Sequence, residues 1–297
     1  MAKKNREVTP EQLATRALIQ QASAALATTF GGVVRPVFVD LGEDVLDPVG
    51  SCVLLKIGES HFVVTAGHVV DWREKGPLAV GGLNEIWYLP DHWHLSALPV
   101  DREPDKLDFG FTQIVGPLLE KFDAPRWATV EDLDLDPRRP VPAGFFTALG
   151  FPTKQQKKNL VDFTFASSTT LWSDLEVRDD VYEKFGRPNG FSRESHILVR
   201  FDTTRSVGSA GIRALPDQKG ISGGALWRSS LLLGPESVRL VGINLFGSTS
   251  GTRVLVGTQI KYVIAGILSA FPDLRPRFPQ FRAAELTEAH PAEVAKR

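Results

Sequence analysis

Two segments far apart in this 297-residue chain carry side chains that could do chemistry together: Thr65-Ala66-Gly67-His68 and Gly220-Ile221-Ser222-Gly223-Gly224. The first sets a histidine at the end of an apolar run, and the second sets a serine in a glycine-rich turn. A serine hydroxyl is a feeble nucleophile at neutral pH until an imidazole takes its proton, and a carboxylate usually orients that imidazole. Five aspartates follow the histidine within the next 40 residues: Asp71, Asp91, Asp101, Asp105 and Asp108. Asp108 is the strongest candidate. It opens the apolar run Phe109-Gly110-Phe111-Thr112-Gln113-Ile114, so its carboxylate would sit at a strand start beside packed surface. Asp71, three residues past His68, suits a cap for the turn after it.

The elements that must position these groups can be read from periodicity. Residues 9–29 predict a helix: Thr9 can cap it, Pro10 fits the first helical position, and Leu13, Ala14, Leu18, Ile19 and Ala22 recur at helical spacing. Its apolar face would pack on the domain behind it, with docking of a regulatory protein as the alternative. From residue 30 the pattern turns to short β-type runs broken by glycine and proline, at 33–39, 50–57, 61–65, 85–89, 109–115, 145–149, 196–201, 223–227, 240–245 and 253–256. Many short strands between turns suggest barrels or sandwiches, not βαβ units. An apolar helical rhythm at 259–271 closes the series. The polar stretch 131–140 reads as a solvated linker, which divides the chain into a helical extension (1–29), a first unit (30–130), a second unit (141–271) and a loosely packed tail (272–297).

Taken together, these motifs resemble those of the chymotrypsin-like (trypsin-fold) serine proteases, in a bacterial-type intracellular form. Thr65-Ala66-Gly67-His68 matches the histidine motif, Leu107-Asp108-Phe109-Gly110-Phe111 the acid motif, and Gly220-Ile221-Ser222-Gly223-Gly224-Ala225-Leu226 the serine motif. Gly150-Phe151-Pro152 is similar to the opening of the second barrel in bacterial members, and Val241-Gly242-Ile243 to the cleft strand after the nucleophile. The resemblance spans about residues 30–268. It implies an all-β fold of two six-stranded antiparallel β-barrels with an N-terminal and a C-terminal helix, and the site in the crevice between the barrels. It also implies a serine endopeptidase in which His68 is the base, Asp108 orients it, Ser222 attacks, and the amides of Gly220 and Ser222 hold the oxyanion. Ile221 stands where the secreted branch has an aspartate, so activation by an ion pair to a freed N-terminus is not expected. Pro216 stands where trypsin-like enzymes have a pocket aspartate, which argues against a basic residue before the cut. Pro216, Asn244, Leu245, Phe246, Gly247 and Leu255 are the expected substrate-binding positions, favouring a small or medium apolar side chain.

The bulk composition narrows the function classes. A formal net charge of −1 gives no global field that would attract nucleic acid or an anionic membrane. A single cysteine, Cys52, excludes an internal disulfide and favours a reducing compartment, so a cytoplasmic protein is expected. No apolar signal core or membrane-length run is present. The expected partner is a protein or peptide substrate, with no metal and no cofactor.

Rival readings use the same residues. Gly220-Ile221-Ser222-Gly223-Gly224 also fits the nucleophile elbow of α/β-hydrolases, with Asp273 and His290 as partners, but that elbow must lead into a helix. His92 and His94 could offer two metal nitrogens, with no third ligand at a recognisable spacing. The rival of a different class is a catalytically silent barrel pair that binds peptides without turnover.

Overall fold

In the computed structural model, residues 10–43, 45–82, 85–97, 106–122, 126–153, 170–201, 207–208, 211–212, 219–248, 253–279 and 292–294 are described. The strands are β1 (Val34–Asp40), β2 (Leu46–Ile57), β3 (Ser60–Ala66), β4 (Leu78–Gly81), β5 (Ile86–Tyr88), β6 (Trp93–Leu95), β7 (Phe109–Ile114), β8 (Gly144–Gly150), β9 (Thr170–Asp174), β10 (His196–Arg200), the short pair β11 (Val207–Gly208) and β12 (Gly211–Ile212), β13 (Ala225–Ser230), β14 (Arg239–Ser248), β15 (Val254–Gln259) and β16 (Ala292–Val294). The main helices are α1 (Pro10–Phe30), α2 (Gly67–Val70), α3 (Pro117–Lys121) and α4 (Ile260–Ala270).

Two curled antiparallel sheets dominate. One has the order β16-β6-β7-β3-β2-β1-β4-β5, and the other β10-β15-β14-β13-β8-β9. The second has the six strands expected of it, while the first has eight. Three of its strands, β4, β6 and β16, were invisible to periodicity because each is only three or four residues long. β4 is a glycine-ended Leu-Ala-Val-Gly that pairs with β1, and β6 lies between β7 and residues 292–294, with Ala292 opposite Leu95 and Val294 opposite Trp93.

β2 and β3 form a tight hairpin, Ile57 opposite Ser60, with Gly58 in the left-handed region. Side chains from one face of this hairpin and of β7 (Val53, Leu55, Phe62, Val64, Phe109) join Leu149, Trp227, Leu240 and Ile243 of the second sheet in one apolar cluster. That cluster welds the two sheets together. α4 seals it with Ile260, Val263, Ile264, Ile267 and Leu268, and Gly266 lets the helix lie against β7, since a Cβ there would come within 3.0 Å of the Phe109 ring. α1 enters the same cluster through Leu26 and Phe30, the latter 4.3 Å from Trp227 between ring centroids. The other two clusters fill the interiors: Val37, Leu54, Val63 and Trp93 on the first side, Phe146, Ile197, Leu226 and Leu255 on the second.

Two stretches read as loose are packed. Within 131–140, Asp134 is buried and pairs with Arg228, whose Nη1 also donates to the carbonyls of Pro137 (2.6 Å) and Arg139 (2.9 Å). The run therefore holds one buried charge pair, while Glu131, Asp136, Arg138 and Arg139 remain exposed. After residue 271, Leu274 and Phe278 enter the intersheet core. Cys52 is buried in the first sheet's interior, which pushes its thiol up to about 12, so it is a neutral core side chain. Among the described residues, no helix is long and apolar enough to cross a membrane.

Candidate active site

β3 ends at Ala66, and the chain turns at once into the four-residue helix α2, which carries His68. β7 begins beside it, with Ala66 paired to Phe109. This register leaves Asp108 as the last residue before the ladder, directly next to His68. Asp108 grips the histidine from three sides. Its Oδ1 accepts from the His68 backbone N–H (2.9 Å), its Oδ2 lies 2.6 Å from His68 Nδ1, and its carbonyl accepts from the Gly67 N–H (2.8 Å). To do so Asp108 adopts φ +44°, a left-handed conformation that aspartate tolerates better than most residues. With Nδ1–H donated to the carboxylate, the free lone pair of the imidazole is on Nε2.

The segment before Asp108 is held by the other sheet. Thr258 Oγ1 donates to the carbonyl of Leu107 (2.5 Å), and His196 Nε2 to that of Lys106 (2.6 Å). Burial pushes His196 down to about 4, so it is neutral near pH 7 and can accept from Ser195 Oγ at Nδ1 while donating at Nε2.

Ser222 sits in the turn before β13. Gly220 and Gly223 take φ of +98° and +81°, which only glycine adopts freely. Gly223 also presses on the histidine's own strand: a Cβ there would lie 2.1 Å from Thr65 Oγ1 and from the Ser51 carbonyl, and 2.9 Å from the Ala66 nitrogen. The serine turn and the histidine turn are thus packed against each other. The Ser222 hydroxyl donates to the Leu245 carbonyl at 2.6 Å, and among the described residues no hydrogen bond joins it to His68. A turn about its Cα–Cβ bond is needed before it can meet an imidazole.

One residue that the sequence did not single out fastens this turn. Ser51, fully buried on β2, donates its N–H to the Ser222 carbonyl (2.8 Å) and its hydroxyl to the Gly220 carbonyl (2.6 Å). The same hydroxyl accepts from the Phe151 N–H (2.8 Å), and the Ser51 carbonyl accepts from Thr65 Oγ1 (2.7 Å). Lys219 directs its carbonyl to the Thr153 N–H (2.7 Å). The carbonyls of 219, 220 and 222 all have acceptor roles here, and among the described residues the Gly220 and Ser222 amides donate to no one. That leaves two donors for a developing negative charge. Nothing in the local pattern Gly50-Ser51-Cys52 marks Ser51, since its partners Phe151, Gly220 and Ser222 lie 100 to 171 residues away.

The expected substrate-binding residues separate. Pro216 lies outside the described residues. Asn244 is fully buried and spends its amide on the carbonyls of Leu149 and Ala225 (3.1 Å each), so its side chain ties β14 to its neighbours. Leu255 is buried among Ile221, Leu226 and Val241. Leu245 offers its carbonyl to Ser222, whereas the Phe246 ring remains 39% exposed, next to Gly247. A bulge in β14 between Asn244 and Phe246 breaks the strand alternation there, so Phe246 is exposed although Asn244, two residues earlier, is buried.

The rival constellations are placed as well. The serine turn leads into β13, a strand, so it is not a hydrolase elbow; Asp273 lies in a short helical turn, and His290 is outside the described residues. His92 and His94 have ring centroids 4.9 Å apart, and His94 stacks on Phe111. Among the described residues no group of three or more acidic, histidine or cysteine side chains is arranged to hold a metal.

The two curled antiparallel sheets match the fold that the motifs implied, and the His68–Asp108 pair and the serine turn lie at their junction. The architecture is consistent with a chymotrypsin-like fold. No family model matches the chain, and no curated protein does. Among solved structures, it is similar to a serine endoprotease from Yersinia pestis, at 16% identity and a TM-score of 0.46, covering 90% of this chain and 69% of that one. It is also similar to the thermostable serine protease AL20 from an extremophilic microorganism, at 12% identity and a TM-score of 0.45, covering 77% and 91%.

Proposed function

We propose that this chain is a serine endopeptidase that hydrolyses peptide bonds of protein substrates through Ser222, His68 and Asp108. The observation that carries the reading is the double grip of Asp108 on His68, at both the backbone N–H and Nδ1, beside a serine turn packed on the same strand end. A buried core has no need of such an arrangement, whereas a general base does. In the reaction, Ser222 Oγ leaves the Leu245 carbonyl and turns to His68 Nε2, which takes its proton as Oγ attacks the substrate carbonyl. The Gly220 and Ser222 amides receive the oxyanion, a contribution of about 2.7–4 kcal/mol per donor in related chemistry. His68 then returns the proton to the leaving amine, and water resolves the acyl-enzyme in the same way. No step calls for a metal or cofactor. Phe246 and Gly247 are the strip on which a substrate chain would lie. The single buried cysteine supports a cytoplasmic setting.

One observation favours the silent-module alternative: the Ser222 hydroxyl is engaged with Leu245, not with the base. Labelling with a fluorophosphonate probe separates the two. The endopeptidase takes up one label per chain in the wild type and none in Ser222→Ala. A folded wild type that takes none under any condition overturns the catalytic reading.

A further inference from the structure

Away from the candidate active site, a cavity of about 550 Å³ lies between α1, the β13–β14 hairpin and the loop carrying Arg126 and Asp132. Its size falls within the range of small-molecule sites, roughly 300–1,000 Å³. The helix lines it with Leu18, Ala22, Leu26 and Phe30, and the hairpin with Leu231 and Val238. The apolar character continues outward: Leu18 is 54% exposed on the helix, and Leu232, at the hairpin tip between the lining residues Leu231 and Gly234, is 73% exposed.

The polar groups on the wall are unequally committed. Both oxygens of Asp132 are spent: Oδ1 accepts from Arg126 Nη2 (2.9 Å), and Oδ2 accepts from the Thr129 N–H (2.9 Å) and hydroxyl (3.2 Å). Glu236 is exposed at the rim. The donors, by contrast, have capacity left. Ser229 lines the cavity at 4% exposure, and its buried hydroxyl has no hydrogen-bond partner among the described residues. Among the described residues Arg239 uses only Nη1, on the carbonyls of Glu236 (2.6 Å) and Val238 (2.7 Å), which leaves Nε and Nη2 to donate. A buried hydroxyl without a partner is costly, and a guanidinium pairs best with a carboxylate.

We infer that this cavity is a binding site for a small amphipathic carboxylate, an acyl chain ending in a carboxyl group. Its tail would cover the leucine-rich wall, and its head would take up the spare donors of Ser229 and Arg239. The ligand would tie α1 to β13, the strand that leaves the serine turn. This reading does not depend on the proposed peptidase activity.

Titration calorimetry of the full-length protein with dodecanoate, dodecan-1-ol and dodecylammonium, each below its micellar concentration, tests it. Dodecanoate is expected to bind saturably, one per chain, and at least about tenfold more tightly than either of the others, because only it offers an anionic acceptor. Arg239→Gln should weaken dodecanoate about tenfold while leaving dodecan-1-ol unchanged. Ala22→Trp, which fills the cavity, should abolish binding of all three, with an unchanged thermal melt showing that the fold is retained. If Ala22→Trp does not fold, Arg239→Gln and the three-ligand comparison decide alone. No saturable binding, several ligands per chain, dodecylammonium binding as well as dodecanoate, or full binding in Arg239→Gln overturns the inference.

Discussion

At the residue scale, Asp108 and Ser51 act on the two halves of the candidate site by different means. In the proposed peptidase, Asp108 sets the tautomer and aim of His68. Asp108→Asn should therefore keep the fold and lower kcat by about 10⁴-fold, as expected when the imidazole carries its proton on the wrong nitrogen. Ser51 would act through the serine turn, by fixing the Gly220–Ile221 and Ser222–Gly223 peptide planes on either side of the proposed nucleophile. In Ser51→Ala the Gly220 carbonyl loses its donor, and the peptide can turn. Kinetics with a peptide substrate should show a kcat lower by about 10²-fold with little change in KM, since misplacement by about 1 Å is enough for such a loss. A change confined to thermal stability would show that Ser51 only holds the sheets together. His68, Asp108 and Ser222 were legible because each stands in a short run whose neighbours restrict what it can do. Ser51 was not, because three of its four partners, Phe151, Gly220 and Ser222, arrive from distant parts of the chain.

At the scale of elements, the longer strands, β9 apart, and both long helices followed from apolar periodicity, since burial of apolar side chains is what stabilises them. The stretch 131–140 did not. Its charges look solvated until Arg228, far along the chain, is placed beside Asp134. Removing one member of such a buried pair leaves the other uncompensated, so Asp134→Ala should cost about 3–5 kcal/mol in denaturant unfolding. The double change of Asp134→Leu with Arg228→Met should recover most of that loss. α4 offers a second test. Gly266 lies against the Phe109 ring, and Gly266→Val would wedge the helix off β7, with an expected loss of about 1–3 kcal/mol. Because Phe109 follows Asp108 directly, the same variant should disturb the His68–Asp108 pair.

At the scale of the whole molecule, the candidate site belongs to neither sheet alone. Strand β3 and the turn into α2 bring His68, β7 brings Asp108, and the second sheet brings both Ser222 and the two donors, Thr258 and His196, that hold the backbone before Asp108. His196 makes this junction sensitive to acid. Its folded value of about 4 is below the ordinary 6.5, so the unfolded chain binds the proton more readily between those limits. Its contribution is present in full above pH 6.5 and is lost as the pH falls towards 4, at a slope of at most about 1.4 kcal/mol per pH unit. Thermal melts from pH 7 to 4 should show this decline, and His196→Gln should flatten it. If the wild type and the variant decline in parallel, the histidine is not the cause.

The order of histidine, aspartate and serine, the β-rich class, and the two capping helices were determined by sequence alone. Each rests on local facts: residue type, spacing, and the period at which apolar side chains recur. Only the tertiary structure decided which way those side chains point. It turned Asn244 inward, buried the linker's charge, gave the first sheet a strand from near the chain's end, and set the Ser222 hydroxyl on the Leu245 carbonyl. All four depend on groups that meet across long sequence separations, and a linear pattern carries no record of such a meeting.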